Sequence, residues 1–207
     1  MTVAHNVWHM AFGPAVAIVI HRDHRAGPSG IDHRHHVEIA SVHYGWATTH
    51  SKQNEFAILR VSVPFSEKVK PMKYKATIED PVETTIHGFS SDFPKTGILS
   101  YSRAESRYVS EERIVFHDGN MFKGASGGPV VDGDGVVIAI HRGWGRHLSV
   151  EDRINQAVAI NRHGNDVRRF IDALALSAGQ FPDGASGIAH GATFVFRAAQ
   201  VTLVGWD

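Results

Sequence analysis

Along this chain apolar residues recur mostly at the short spacings of extended backbone, and once, late in the sequence, at the spacing of a helix. Val37-Glu38-Ile39-Ala40-Ser41-Val42 alternates as a half-buried strand does. Ala11 to Ile20 (AFGPAVAIVI) is a β-branched run behind a Gly13-Pro14 turn and predicts another strand. Short strands are also expected at Thr96–Tyr101, Arg113–His117, Ala157–Asn161, Ala192–Arg197 and Gln200–Val204, and in the run VVIAIH that ends at His141. The helix is expected after Asn165 as its cap, with Val167, Phe170, Ile171 and Leu174 on one face and Arg168, Arg169 and Asp172 on the other. Two polar stretches separate these elements. His21 to His36 is rich in histidine and turn residues and reads as a solvated loop, and the segment from Arg60 to Thr84, with its lysines and prolines, reads as a connection between two lobes.

Composition narrows the picture by exclusion. With 21 basic and 21 acidic residues the formal net charge is zero, so bulk electrostatics suggests neither a nucleic-acid nor a membrane-surface partner. No apolar run approaches the ~18 residues of a spanning helix. The absence of cysteine removes disulfides, thiolate nucleophiles and cysteine-based metal sites.

Candidate chemistry concentrates in Phe122 to Val131, FKGASGGPVV. Ser126 is the candidate nucleophile, and a serine hydroxyl needs both a neighbouring base and donors for the oxyanion that forms when it attacks a carbonyl. Gly124, Gly127 and Gly128 lack Cβ atoms and let the backbone present its own N–H groups, so the N–H groups of Gly124 and Ser126 are the expected oxyanion hole. A second glycine-rich serine, in Asp183-Gly184-Ala185-Ser186-Gly187, lacks the following glycine and proline.

GASGGPVV resembles the G-x-S-G-G-P motif of chymotrypsin-like (trypsin-like) serine proteases, and VVIAIHRGWG resembles the strand along which such enzymes pair a substrate backbone. Thr2-Val3-Ala4-His5-Asn6 is similar to the T-A-A-H segment of the catalytic histidine, with Asn6 in place of the usual cysteine. Asn54-Glu55-Phe56-Ala57-Ile58-Leu59 is similar to the D-x-A-x-L segment of the catalytic acid, with Glu55 where aspartate is expected. Gly88–Pro94 and Ala157–Asn161 resemble segments of the glutamyl endopeptidase branch. The order His, acid, Ser separates this reading from an α/β-hydrolase, whose order is Ser, acid, His.

The resemblance implies an all-β fold of two antiparallel β-barrels with a C-terminal helix packed on the second barrel. The lobes are expected at 1–75 and 76–178, with 179–207 as an unassigned tail. It implies a serine endopeptidase acting through His5, Glu55 and Ser126 on peptide or protein substrates, with no metal or organic cofactor. Met121, His141, Arg142 and Gly143 fall at the substrate pocket, and His141 with Arg142 implies preference for an acidic residue before the scissile bond. Two alternatives stay open, a catalytically impaired relative that only binds peptides and a serine esterase of another fold. Because so little chain precedes His5, the first barrel is expected to be incomplete at its N-terminus and to lack wall strands, with Met1 an internal residue and a signal sequence upstream. No signal peptide is visible in this chain, and secretion or a periplasmic location is implied by resemblance.

Overall fold

The structure is a computed structural model that describes residues 1–21, 34–77, 79–89, 99–147, 150–177, 181 and 187–198. Its strands are β1 (Thr2–Val3), β2 (Trp8–His9), β3 (Gly13–Pro14), β4 (Val19–His21), β5 (Arg34–His43), β6 (Phe56–Val61), β7 (Val82–Phe89), β8 (Leu99–Val109), β9 (Ile114–His117), β10 (Pro129–Asp132), β11 (Val137–His147), β12 (Val150–Ala159), β13 (Gly187–His190) and β14 (Thr193–Arg197). The helices are α1 (Tyr44–Thr49) and α2 (Val167–Ser177).

The second lobe is a closed barrel in the order β10-β11-β12-β9-β8-β7. Strand β8 shows why: Arg103, Glu105 and Arg107 point outward while Ala104, Ser106 and Tyr108 are buried between them. That period-two pattern carries the strand to Val109, well beyond the Tyr101 limit expected from its apolar residues alone. The barrel interior is packed with Ile86, Ala104, Val115, Met121, Ala125, Val130 and Ile138.

The first lobe is an open six-stranded sheet in the order β1-β6-β5-β14-β13, with β4 also paired to β5. The expected strand over Ala11–Ile20 is broken up. Gly13 takes a positive φ of 78° and pairs with His9 in a small hairpin, and regular pairing resumes only at Val19. Strand β5 is buried at every position from Ile39 to His43, because α2 packs against it and β6 and β14 flank it. Half-burial by alternation therefore ends at Ile39.

The hairpin β13–β14 gives the tail a place. Thr193–Arg197 pairs antiparallel with Ile39–His43, so the C-terminal segment supplies strands to the first lobe. Val195 and Phe196 are fully buried there. The expected strand at Gln200–Val204, the turn over Ser90–Pro94 and most of the histidine-rich loop lie outside the described residues.

Helix α2, expected on the second barrel, makes its main contacts with β5, β6 and β14 of the first lobe. Its buried face is Val167, Phe170, Ala173, Leu174 and Ser177, while Ile171 turns outward. Asn165 is not its side-chain cap. Asp166 Oδ1 accepts from the Arg169 N–H (3.2 Å) and Asn161 Oδ1 from that of Val167 (3.0 Å), whereas the Asn165 amide donates to the carbonyls of Gln53 and Ala159. The apolar seam between the lobes joins Val3, Phe56 and Ile58 to Val131, Ile140, Val158 and Ile160, with Phe170 of the helix in the same cluster. Among the described residues no helix is long and apolar enough to cross a membrane.

Candidate active site

His5 stands in a short 3-10 turn directly after β1, and Glu55 in the residue before β6. Pairing of Val3 with Phe56, and the Ala4 N–H donated to the Glu55 carbonyl (3.2 Å), bring the two side by side. His5 Nδ1 meets Glu55 Oε1 in a short hydrogen bond, with the carboxylate only 1% exposed and the imidazole 37% exposed. The turn before Glu55 is clasped by the second lobe. Lys52 Nζ donates to Glu112 (2.7 Å), Asn54 Nδ2 to the His163 carbonyl (2.9 Å), and Asn165 to the Gln53 carbonyl (2.7 Å).

The nucleophile loop lies between β9 and β10, and its glycines are required by contacts. Gly127 adopts a φ of +93°, and a Cβ there would run into Thr2 Oγ1. A Cβ on Gly128 would overlap the His87 carbonyl oxygen, a backbone atom that cannot give way. The N–H groups of Ala125, Gly127 and Gly128 are donated to the carbonyls of Phe122, His141 and Ala125. Among the described residues those of Gly124 and Ser126 are left undonated, which leaves two backbone donors for an incoming oxyanion. Asn6 Nδ2 donates to the Ser126 carbonyl (3.0 Å) and ties this loop to the residue beside His5. The Ser126 hydroxyl itself donates to the Arg142 carbonyl (3.1 Å).

The residues expected at the substrate pocket divide. Gly143, in β11, takes a φ of +128°, and a Cβ on it would come within 4.0 Å of Ser126 Oγ. Met121 is 6% exposed and packs into the barrel interior. His141 is 1% exposed and its Nδ1 shares a 3.0 Å hydrogen bond with His117 Nε2. Burial, the neighbouring Arg142 charge and His5 bring the His141 pKa down to about 4. Burial, then the charge of His141, bring that of His117 down to about 3. Both rings are therefore neutral at pH 7. The Arg142 side chain turns to Glu55 and Gln156. Sequence reasoning missed the roles of Asn6, His117 and Gln156. Asn6 did stand out as a departure from the family pattern, but nothing local pairs His117 with a histidine 24 residues away.

Beside the loop, a cavity of about 500 Å³ opens between Met72, His87–Phe89 and Leu99 on one side and Gly124–Pro129 on the other.

Comparison with known proteins agrees with this architecture. The protease Anisep from Arthrobacter nicotinovorans superposes with a TM-score of 0.66 at 16% identity, over 85% of this chain and 82% of that one. A Glu endopeptidase in complex with MPD gives a TM-score of 0.62 at 16% identity, over 86% and 80% of the two chains. Neuropsin, a serine protease of mouse brain, gives 0.50 at 16% identity, over 67% and 73%. No curated protein matches by sequence. At these identities the solved structures speak for the fold, a chymotrypsin-like pair of β-lobes. The model of the trypsin-like peptidase domain matches residues 1–140, a run that contains the His5 turn, the Glu55 turn and the complete Ser126 loop. On that match the chain belongs to the trypsin-like peptidase domain family and is a hydrolase of the serine endopeptidase class.

Proposed function

We propose that His5, Glu55 and Ser126 form the working triad of this endopeptidase. The observation that carries the reading is the bond between His5 Nδ1 and Glu55, made by residues 50 apart in sequence, next to an Asn6 that bonds the Ser126 carbonyl. Glu55 accepts the Nδ1 proton and thereby leaves Nε2 of the neutral ring free to act as base. For attack, the Ser126 hydroxyl gives up its bond to the Arg142 carbonyl and delivers its proton to His5 Nε2. Its oxygen bonds to the scissile carbonyl carbon, and the negative charge moves to the carbonyl oxygen, facing the N–H groups of Gly124 and Ser126. Collapse expels the amine, which takes the proton from His5 and leaves an acyl-enzyme. Water, deprotonated by His5, releases the acid and restores Ser126.

The pocket reading favours glutamate or aspartate before the scissile bond with weak discrimination. If His117 donates from Nε2, His141 accepts at Nδ1 and keeps its own proton on Nε2, where it can bond a substrate carboxylate. A neutral donor binds a carboxylate less strongly than a cation does, and the guanidinium of Arg142 is engaged by Glu55. The side chains of Met72, Phe89 and Leu99 in the cavity beside the Ser126 loop support apolar residues as the second preference. The resemblance to proteases also supports secretion or a periplasmic location.

A fluorophosphonate probe tests the central reading. Labelling is expected in the wild type and in Ser186→Ala and lost in Ser126→Ala. No labelling of a folded wild-type chain would overturn it and fit a relative without activity that only binds peptides.

A further inference from the structure

The geometry points to Arg142 as the positioning residue that fixes the triad acid, an inference that rests on the triad reading above. Arg142 falls in a β-bulge. His141 pairs with Ala157 and Gly143 with Gln156, so Arg142 has no partner across the β11–β12 ladder. Such an extra residue escapes the regular alternation of side chains and can be aimed where neither face of the strand points. Here the side chain crosses from the second lobe to the first. Its Nε donates to Glu55 Oε2 at 2.5 Å, while Oε1 of the same carboxylate holds His5. Its Nη1 donates to Gln156 Oε1 at 2.7 Å, and Gln156 is itself buried. The Arg142 carbonyl, finally, accepts the Ser126 hydroxyl.

Each contact has a physical reason. A carboxylate that is 1% exposed requires a cation or several donors, and the His5 N–H supplies one. Glutamate also has one more rotatable bond than the aspartate expected at this place, so bonding to His5 alone would leave its carboxyl plane free to turn. The guanidinium is planar and holds the second oxygen in a defined direction, and Gln156 holds the guanidinium. Arginine at 142 thus goes together with glutamate at 55. The charge that the sequence placed in the specificity pocket serves the acid.

Kinetics of full-length variants on two peptide substrates, one with glutamate and one with leucine before the scissile bond, separate this role from a pocket role. Arg142→Met is expected to lower kcat on the order of 100-fold, by the same factor on both substrates and with KM unchanged, as misorientation of a catalytic group does. Arg142→Lys, which keeps the charge and one donor, is expected to recover about ten-fold of that loss. Glu55→Gln is expected to lose ~10⁴-fold, and adding Arg142→Met to it to cost nothing more. A rise in KM confined to the glutamate substrate, or additive losses in the double variant, would overturn the proposal while leaving the triad intact. Full activity in Glu55→Gln would overturn both. Should Arg142→Met not fold, Gln156→Ala and Arg142→Lys carry the test, with a fall in kcat at constant KM expected from each and unchanged kcat in both overturning it.

Discussion

The second lobe closes a six-stranded barrel from one continuous stretch, β7 to β12, whereas the first lobe assembles its sheet from both ends of the chain. Strands that follow one another in sequence pair after short loop closures, while β14 meets β5 across more than half the chain, at greater entropic cost. The chemistry divides along the same line. The closed barrel bears the nucleophile loop, whose shape is set by glycines wedged against backbone. The open sheet bears His5 and Glu55, set on turns beside very short strand contacts and held by bonds from the other lobe. The Ser126 loop is thus shaped within its own lobe, whereas the positions of His5 and Glu55 depend on tertiary contacts.

The difference between the lobes is most severely tested by removing the distant hairpin. A chain ending at Ser177 loses β13 and β14, and with them Val195 and Phe196, both fully buried. Loss of a buried Phe side chain alone costs about 3–5 kcal/mol, so the truncated chain is expected to lack a cooperative unfolding transition and to accumulate as insoluble protein. A soluble product with wild-type melting would show that the first lobe does not need this hairpin.

Next in size comes Gly128→Ala, aimed at the barrel side. The new Cβ would overlap the His87 carbonyl oxygen, so the loop must shift, and with it the N–H groups of Gly124 and Ser126. A fall in kcat of at least ~10²-fold is expected, the size associated with loss of an oxyanion donor, with the overall fold retained by circular dichroism. Activity within a few-fold of wild type would mean that the loop is not fixed by this contact.

The last test concerns acid and reads stability, not turnover. His117 and His141 titrate in the folded barrel at about 3 and about 4, below the unfolded value. Below about pH 6.5 the unfolded chain therefore binds more protons than the folded one. Stability is fully present above that pH and falls as the pH drops toward about 4, by up to ~1.4 kcal/mol per pH unit for each histidine. Urea unfolding at pH 7 and pH 5 is expected to show this loss in the wild type and a smaller one in His117→Gln. Equal losses in both would place the acid sensitivity in groups other than His117.

How much of this was legible beforehand depended on the range of the physics involved. The Ser126 loop could be read because its glycines answer to local sterics: a φ of +93° at Gly127 and the absent Cβ of Gly128 are properties of single positions. Family motifs and their order singled out His5, Glu55 and Ser126, and the structure brings His5 and Glu55 together. The Tyr101 boundary failed because alternating charged residues were not counted as strand, and the cap at Asn165 failed because that amide is spent on Gln53 and Ala159.

By itself, then, the sequence determined the β-rich character of the chain, the late helix and the glycine-rich turn around Ser126, since each follows from periodicity or from the backbone freedom of individual residues. Tertiary structure alone decided three further things. It laid β14 along β5, because an edge of unpaired N–H and C=O groups accepts whichever strand can reach it. It buried His117 against His141 through the neighbouring positions of β9 and β12 beside β11 in the closed barrel. And it sent the Arg142 guanidinium to Glu55, because a bulge freed that side chain from the strand's alternation and a buried carboxylate of the other lobe lay within its reach.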